Sequence, residues 1–107
     1  MKLIMAIVSN DDSSKVQSAL TKERYQVTRL ATTGGFLMAG NTTFICGTED
    51  DKVDHAIEII AQHSKKRTQM VPSSASYGVG MYTSFPVEVQ IGGATIFVMD
   101  VERFEKV

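Results

Sequence analysis

The sequence predicts an α+β domain whose strands and helices follow the order β-α-β-β-α-β, with a further hairpin at the C-terminus. Three observations predict it. Leu3 to Val8 is apolar at both parities, the mark of a strand covered on both faces. Two segments with apolar residues at helical spacing, one after Asn10 and one after Glu49, each follow a strand-like segment. The stretches around them are rich in β-branched and aromatic residues. With 107 residues, no internal repeat and no linker, the reading is one domain, 1–107, around one core.

The elements follow in order. After the first strand, Asn10, Asp11, Asp12 and Ser13 offer side-chain oxygens for a helix start. Val16, Ala19 and Leu20 come next at helical spacing, which predicts a helix over 12–23 with one buried stripe. Tyr25 to Thr32 and Thr42 to Thr48 read as strands. Glu49, Asp50 and Asp51 suit the positive end of a helix dipole, and Val53, Ala56, Ile57 and Ile60 supply that helix with its apolar stripe. Lys65, Lys66 and Arg67 suit its negative end. Arg67 to Val71 reads as a fourth strand. Pro72 to Phe85 is rich in Ser and Gly and is the longest irregular stretch, the kind of loop that is functional or mobile. Its Tyr77, Met81 and Tyr82 are residue types enriched at interfaces. Val87, Val89 and Ile91 alternate with Glu88 and Gln90, and Gly92-Gly93 reads as a two-residue turn into the apolar strand Ala94 to Val101. This order is the ferredoxin-like plan, an antiparallel sheet with two helices on one face. The opposite face is left bare, and burying it in an oligomer is the simplest remedy.

Composition narrows the function classes. A formal net charge of −1 gives no global field toward nucleic acid or an anionic membrane. The longest apolar run is far too short to span a bilayer, and no small-residue cleavage site follows it, so the reading is cytoplasmic. The single cysteine, Cys46, precludes an internal disulfide and fits a reducing compartment. With no basic neighbour in sequence it reads as a small buried hydrophobe and not a nucleophile. His55 and His63 are separated by about 80° around a helix, so they do not converge on one metal ion. Glu49-Asp50-Asp51 lacks the spacing of a Ca²⁺ loop, and there is no Walker A motif. The sequence predicts no catalytic residue, no metal and no cofactor.

One segment carries positive functional content: Ala31-Thr32-Thr33-Gly34-Gly35-Phe36-Leu37-Met38-Ala39-Gly40-Asn41-Thr42-Thr43. Adjacent glycines let backbone turn sharply and approach a ligand closely. Phe36 offers a stacking surface. Thr32, Thr33, Asn41, Thr42 and Thr43 supply uncharged donors and acceptors. This equipment suits a flat polar heterocycle and activates no nucleophile. The same residues also read as a tight turn, and Phe36-Leu37-Met38 as an apolar plug between subunits.

Lys2 to Val8, the segment Ala31 to Leu37, Ala39-Gly40-Asn41-Thr42-Thr43-Phe44, Cys46-Gly47, Pro86-Val87-Glu88-Val89 and Gly92-Gly93-Ala94-Thr95-Ile96-Phe97-Val98-Met99 closely resemble the PII-like cyclic-di-AMP receptor family (PstA/DarA), relatives of the nitrogen-regulatory PII signal proteins. The resemblance implies a ferredoxin-like homotrimer with a signalling role and no catalysis. It implies cyclic-di-AMP, or a related adenine nucleotide, in clefts between neighbouring subunits. It further implies that the 72–86 segment is a flexible loop facing an unknown downstream protein. Position by position, Thr28, Gly35, Phe36, Leu37, Asn41 and Gly47 match residues that line the family's nucleotide cleft.

Two departures stand out. The family pattern has arginine where this chain has Gln26, and glutamine where it has Lys106. Arginine would meet a phosphate with a charge-assisted bond, and losing about 2 kcal/mol lowers affinity about thirtyfold. Arg24 is expected at the strand parity of Gln26 and Thr28, about 6.6 Å along, and is the candidate to compensate. Arg29 is expected to face the other way. Two other readings remain. One is a divergent PII-like protein acting through another ligand or through protein contacts. The other is a small acylphosphatase-like hydrolase, which needs an arginine in an anion-binding loop; residues 32–41 contain none.

Overall fold

A computed structural model describes residues 1–30, 40–72 and 86–107 of the chain. Along these residues the elements are β1 (Lys2–Ser9), α1 (Asn10–Lys22), β2 (Val27–Leu30), β3 (Asn41–Thr48), α2 (Val53–Gln62), β4 (Arg67–Pro72), β5 (Pro86–Ile91) and β6 (Ala94–Asp100). A 3₁₀ turn, Asp50–Lys52, leads into α2. One antiparallel sheet has the strand order β2-β3-β1-β6, and both helices pack on one of its faces. The architecture is the expected α+β, ferredoxin-like one.

Strand alternation decides which residues meet the helices. Across β1 and β3, Ile4 faces Cys46, Ala6 faces Phe44 and Val8 faces Thr42. The apolar members of these pairs join Val16 and Leu20 of α1 and Val53, Ala56, Ile59 and Ile60 of α2 in one continuous core. The odd-numbered positions, Leu3, Met5 and Ile7, point to the other face and are only half-buried. There Met5 is paired with Phe97, and Leu3 with Met99.

α1 begins where β1 ends, with no residue between them. Its N-cap is therefore Ser9, whose Oγ accepts from the Asp11 amide at 3.2 Å, and not one of the four polar residues after it. The helix ends in a Schellman motif. The Tyr25 amide donates to the Leu20 carbonyl at 3.0 Å and the Arg24 amide to the Thr21 carbonyl at 2.9 Å. Arg24 takes the left-handed conformation this motif requires, with φ +70°. Arg24 thus belongs to the helix stop and not to a strand, because burying Tyr25 in the core demands this exit.

β4 and β5 pair only with each other, ending at Pro72 opposite Pro86. Gly92-Gly93 is consequently not a hairpin turn between β5 and β6. It is the corner at which the chain leaves the β4–β5 ribbon to lay β6 along β1. Both glycines have φ +87°, and a Cβ on Gly92 would sit 2.3 Å from the Lys65 carbonyl oxygen. The ribbon is tied to α1 by Arg67, whose guanidinium grips the buried Asp12 carboxylate at 2.9 and 3.3 Å.

Candidate ligand-binding site

The end of α1, the approach to β2, the end of β3 and the start of α2 meet at one corner of the sheet. They border a cavity of about 510 Å³, within the usual range for ligand sites. Arg24 and Gln26 line it from the turn, Gly47 from β3, and Lys52 and His55 from the start of α2. The structure therefore brings together three residues singled out in the sequence: Arg24, Gln26 and Gly47. Thr28 continues from Gln26 on β2. It pairs with Ile45, which places it on the same open face as Gly47.

Gly47 has open space beside it. A Cβ placed there would meet nothing within 4 Å. Its φ is not positive, so neither packing nor conformation of the fold requires glycine at this position. Open space beside bare backbone is what a closely approaching ligand uses.

The walls are electrically mixed. Arg24 and Lys52 bring positive charge, and Glu23 and Asp51 bring negative charge. Arg24 holds a left-handed backbone that costs a non-glycine residue about 1 kcal/mol. Behind it, Tyr25 is 8% exposed, and burial pushes its phenol pKa up. The Tyr25 hydroxyl donates to the Lys52 carbonyl at 3.1 Å and lies 3.0 Å from His55 Nδ1. The Tyr25 and His55 rings pack with centroids 5.9 Å apart. Sequence reading passed over this pair, treating His55 as a solvated helix residue. The available signal was positional: Asp51 and His55 are four apart and share a helix face.

Other expected residues fall elsewhere. Asn41 opens β3, about 20 Å along the strand from Gly47. It borders a second cavity, of about 300 Å³, with Asn10, Gln90 and Gly92. One protomer therefore does not bring Asn41 and Gly47 to the same cavity. Gly35, Phe36 and Leu37 lie outside the described residues, as does 73–85, the body of the expected loop. Arg29 faces the helices, as its parity predicts: its guanidinium lies 5.5 Å from the Phe44 ring centroid and donates to Ser13 Oγ at 3.3 Å. Cys46 is buried, and burial pushes its thiol pKa up. His55 and His63 border different cavities. Among the described residues no helix is long and apolar enough to cross a membrane.

A family model described as cyclic-di-AMP receptor matches residues 1–107, the full chain. The structure is similar to the crystal structure of a functionally unknown protein from Pediococcus pentosaceus ATCC 25745. The two are 36% identical, with a TM-score of 0.75 over 99% of this chain and 96% of that one.

Proposed function

The chain belongs to the cyclic-di-AMP receptor family, and from that membership we propose that it is a PII-like signalling protein that binds cyclic-di-AMP between the subunits of a homotrimer. It acts by binding and not by catalysis, in the cytoplasm. The observation that carries the reading is the convergence of Arg24, Gln26 and Gly47 on one cavity with unfilled space beside the Gly47 backbone. Thr28, Asn41 and Gly47 all lie on the sheet face that the helices leave bare. A neighbouring subunit laid on that face would turn an open corner into a cleft.

Each residue then has a task. Gly47 lets a base approach the backbone. Arg24 meets a phosphate, and Gln26 supports it by hydrogen bonding without charge. Asn41 and Thr28 supply polar contacts to base edges or ribose. Phe36 stacks on a purine, a contact worth about 1–3 kcal/mol, with Gly35 and Leu37 shaping the approach. The 72–86 segment carries the state of the site to a downstream protein. Calorimetry against cyclic-di-AMP, cyclic-di-GMP and ATP tests the reading. Saturable binding of cyclic-di-AMP, one per subunit and strongest of the three, is expected. No binding of cyclic-di-AMP would overturn it.

A further inference from the structure

We propose that His55 and Glu23 select adenine over purines bearing a 6-oxo group, by presenting hydrogen-bond acceptors to the exocyclic amine. The inference rests on the preceding reading of the cavity as a purine-nucleotide site. It starts from the proton inventory around Tyr25. A phenol has one proton to donate. The Lys52 carbonyl can only accept, and the Tyr25 hydroxyl donates to it at 3.1 Å. The 3.0 Å contact to His55 Nδ1 must then be made with the proton on the imidazole, Nδ1–H donating to the phenol oxygen. In the neutral ring this leaves Nε2 bare, an acceptor.

That acceptor lies on the cavity wall. His55 and Glu23 both border the cavity, and their side chains are about half exposed. His55 Nε2 stands 3.8 Å from Glu23 Oε1, beyond hydrogen-bond reach, so the two acceptors face the same space without satisfying each other. An amino group has two N–H donors and can serve both. A 6-oxo group has none and would bring a third lone pair toward them. Once a neighbouring subunit covers the corner and excludes water, a site built to bond one substituent rejects the analogue lacking it, because the site's polar groups, then buried, are left unpaired. Tyr25 is a positioning residue here. Its buried ring and its bond to Lys52 hold the imidazole and its tautomer.

Two measurements test the proposal. The first needs no ligand: long-range ¹H–¹⁵N correlation spectra of the native protein at pH 8 should report the Nδ1–H tautomer for His55. The Nε2–H tautomer would overturn the assignment. The second compares cyclic-di-AMP with cyclic-di-IMP, its 6-oxo analogue, by calorimetry. Wild type should prefer cyclic-di-AMP. His55→Phe should reduce that preference by roughly three- to tenfold, with little change for cyclic-di-IMP. His55→Gln, which keeps an acceptor and is checked for folding by circular dichroism, should retain more of the preference than His55→Phe. If wild type binds cyclic-di-AMP and His55→Phe leaves the preference unchanged, His55 is not the selector while the receptor reading stands. If wild type binds neither nucleotide, both fall.

Discussion

The two faces of the four-stranded sheet are made by the same strands and end up in opposite conditions. On the helix face, Ile4, Ala6, Val8 and Phe44 are each 1% exposed. On the other face, Phe97 is 51% exposed and Met99 40%, beside half-buried Leu3, Met5 and Ile7. Both faces carry large apolar side chains, so their presence alone does not mark the covered face. The difference lies in what covers them: α1 and α2 on one side, and nothing within the described residues on the other. The candidate site opens at a corner of the sheet, where the two faces meet. The buried core is thus concentrated on one face, and the candidate cavity lies at the edge of the sheet.

The sharpest way to break this comparison is Phe44→Ala. Emptying the centre of the dry face should cost about 3–5 kcal/mol, measured by denaturant unfolding. A cost under 1 kcal/mol would show that the two faces are not energetically distinct. Phe97→Asp makes the complementary cut. The subunit should stay folded by circular dichroism while light scattering falls from a trimer mass to a monomer mass. A wild-type monomer, or a Phe97→Asp trimer, would remove this face from the assembly.

Smaller effects refine the corner where the faces meet. Gln26→Arg should tighten cyclic-di-AMP binding by up to about thirtyfold at low salt, with the gain shrinking as salt rises. Arg24→Ala should weaken wild type strongly and matter less in the Gln26→Arg background. Unchanged affinity in both variants would move the phosphate away from this turn. Arg24→Gly should relieve the left-handed backbone and raise thermal stability by roughly 0.5–1 kcal/mol, while losing ligand affinity. An unchanged melting temperature would show that the helix stop is unstrained.

The smallest effect is expected at the N-terminus. The Met1 ammonium bonds Asp50 at 2.9 Å and holds its carboxyl below the usual range. A depressed carboxyl pKa stabilises above the unfolded value and loses that contribution as pH falls through the folded one. Asp50→Asn should therefore lower stability slightly at neutral pH and flatten the acid limb, with the difference from wild type vanishing at low pH. A change confined to alkaline pH would contradict the assignment.

How much of this was legible beforehand depends on whether a feature is local. Helix stripes, strand alternation and the facing of Arg29 are local periodicities, and they read correctly because one residue's direction follows from its neighbours'. The Gly92-Gly93 corner misled because a glycine pair in a hairpin and one at a crossover carry the same local signal. Only the pairing partners distinguish them, and those lie far along the chain: β6 chooses β1, more than eighty residues away. Ser9 was missed as the N-cap because its role depends on where β1 stops pairing with β3.

By itself, then, the sequence determined the element types, the apolar faces and the family, since each is written in residue order and spacing. Tertiary structure decided the rest. It selected the helix stop that gives Arg24 its left-handed backbone, gathered Gln26, Gly47 and His55 from separate parts of the chain, and put the Tyr25 hydroxyl within hydrogen-bond reach of both the Lys52 carbonyl and His55 Nδ1. The physical reason is range. Periodicity acts over a few residues, whereas a cavity and a hydrogen-bond chain exist only when segments remote in sequence are fixed within about 3 Å of one another.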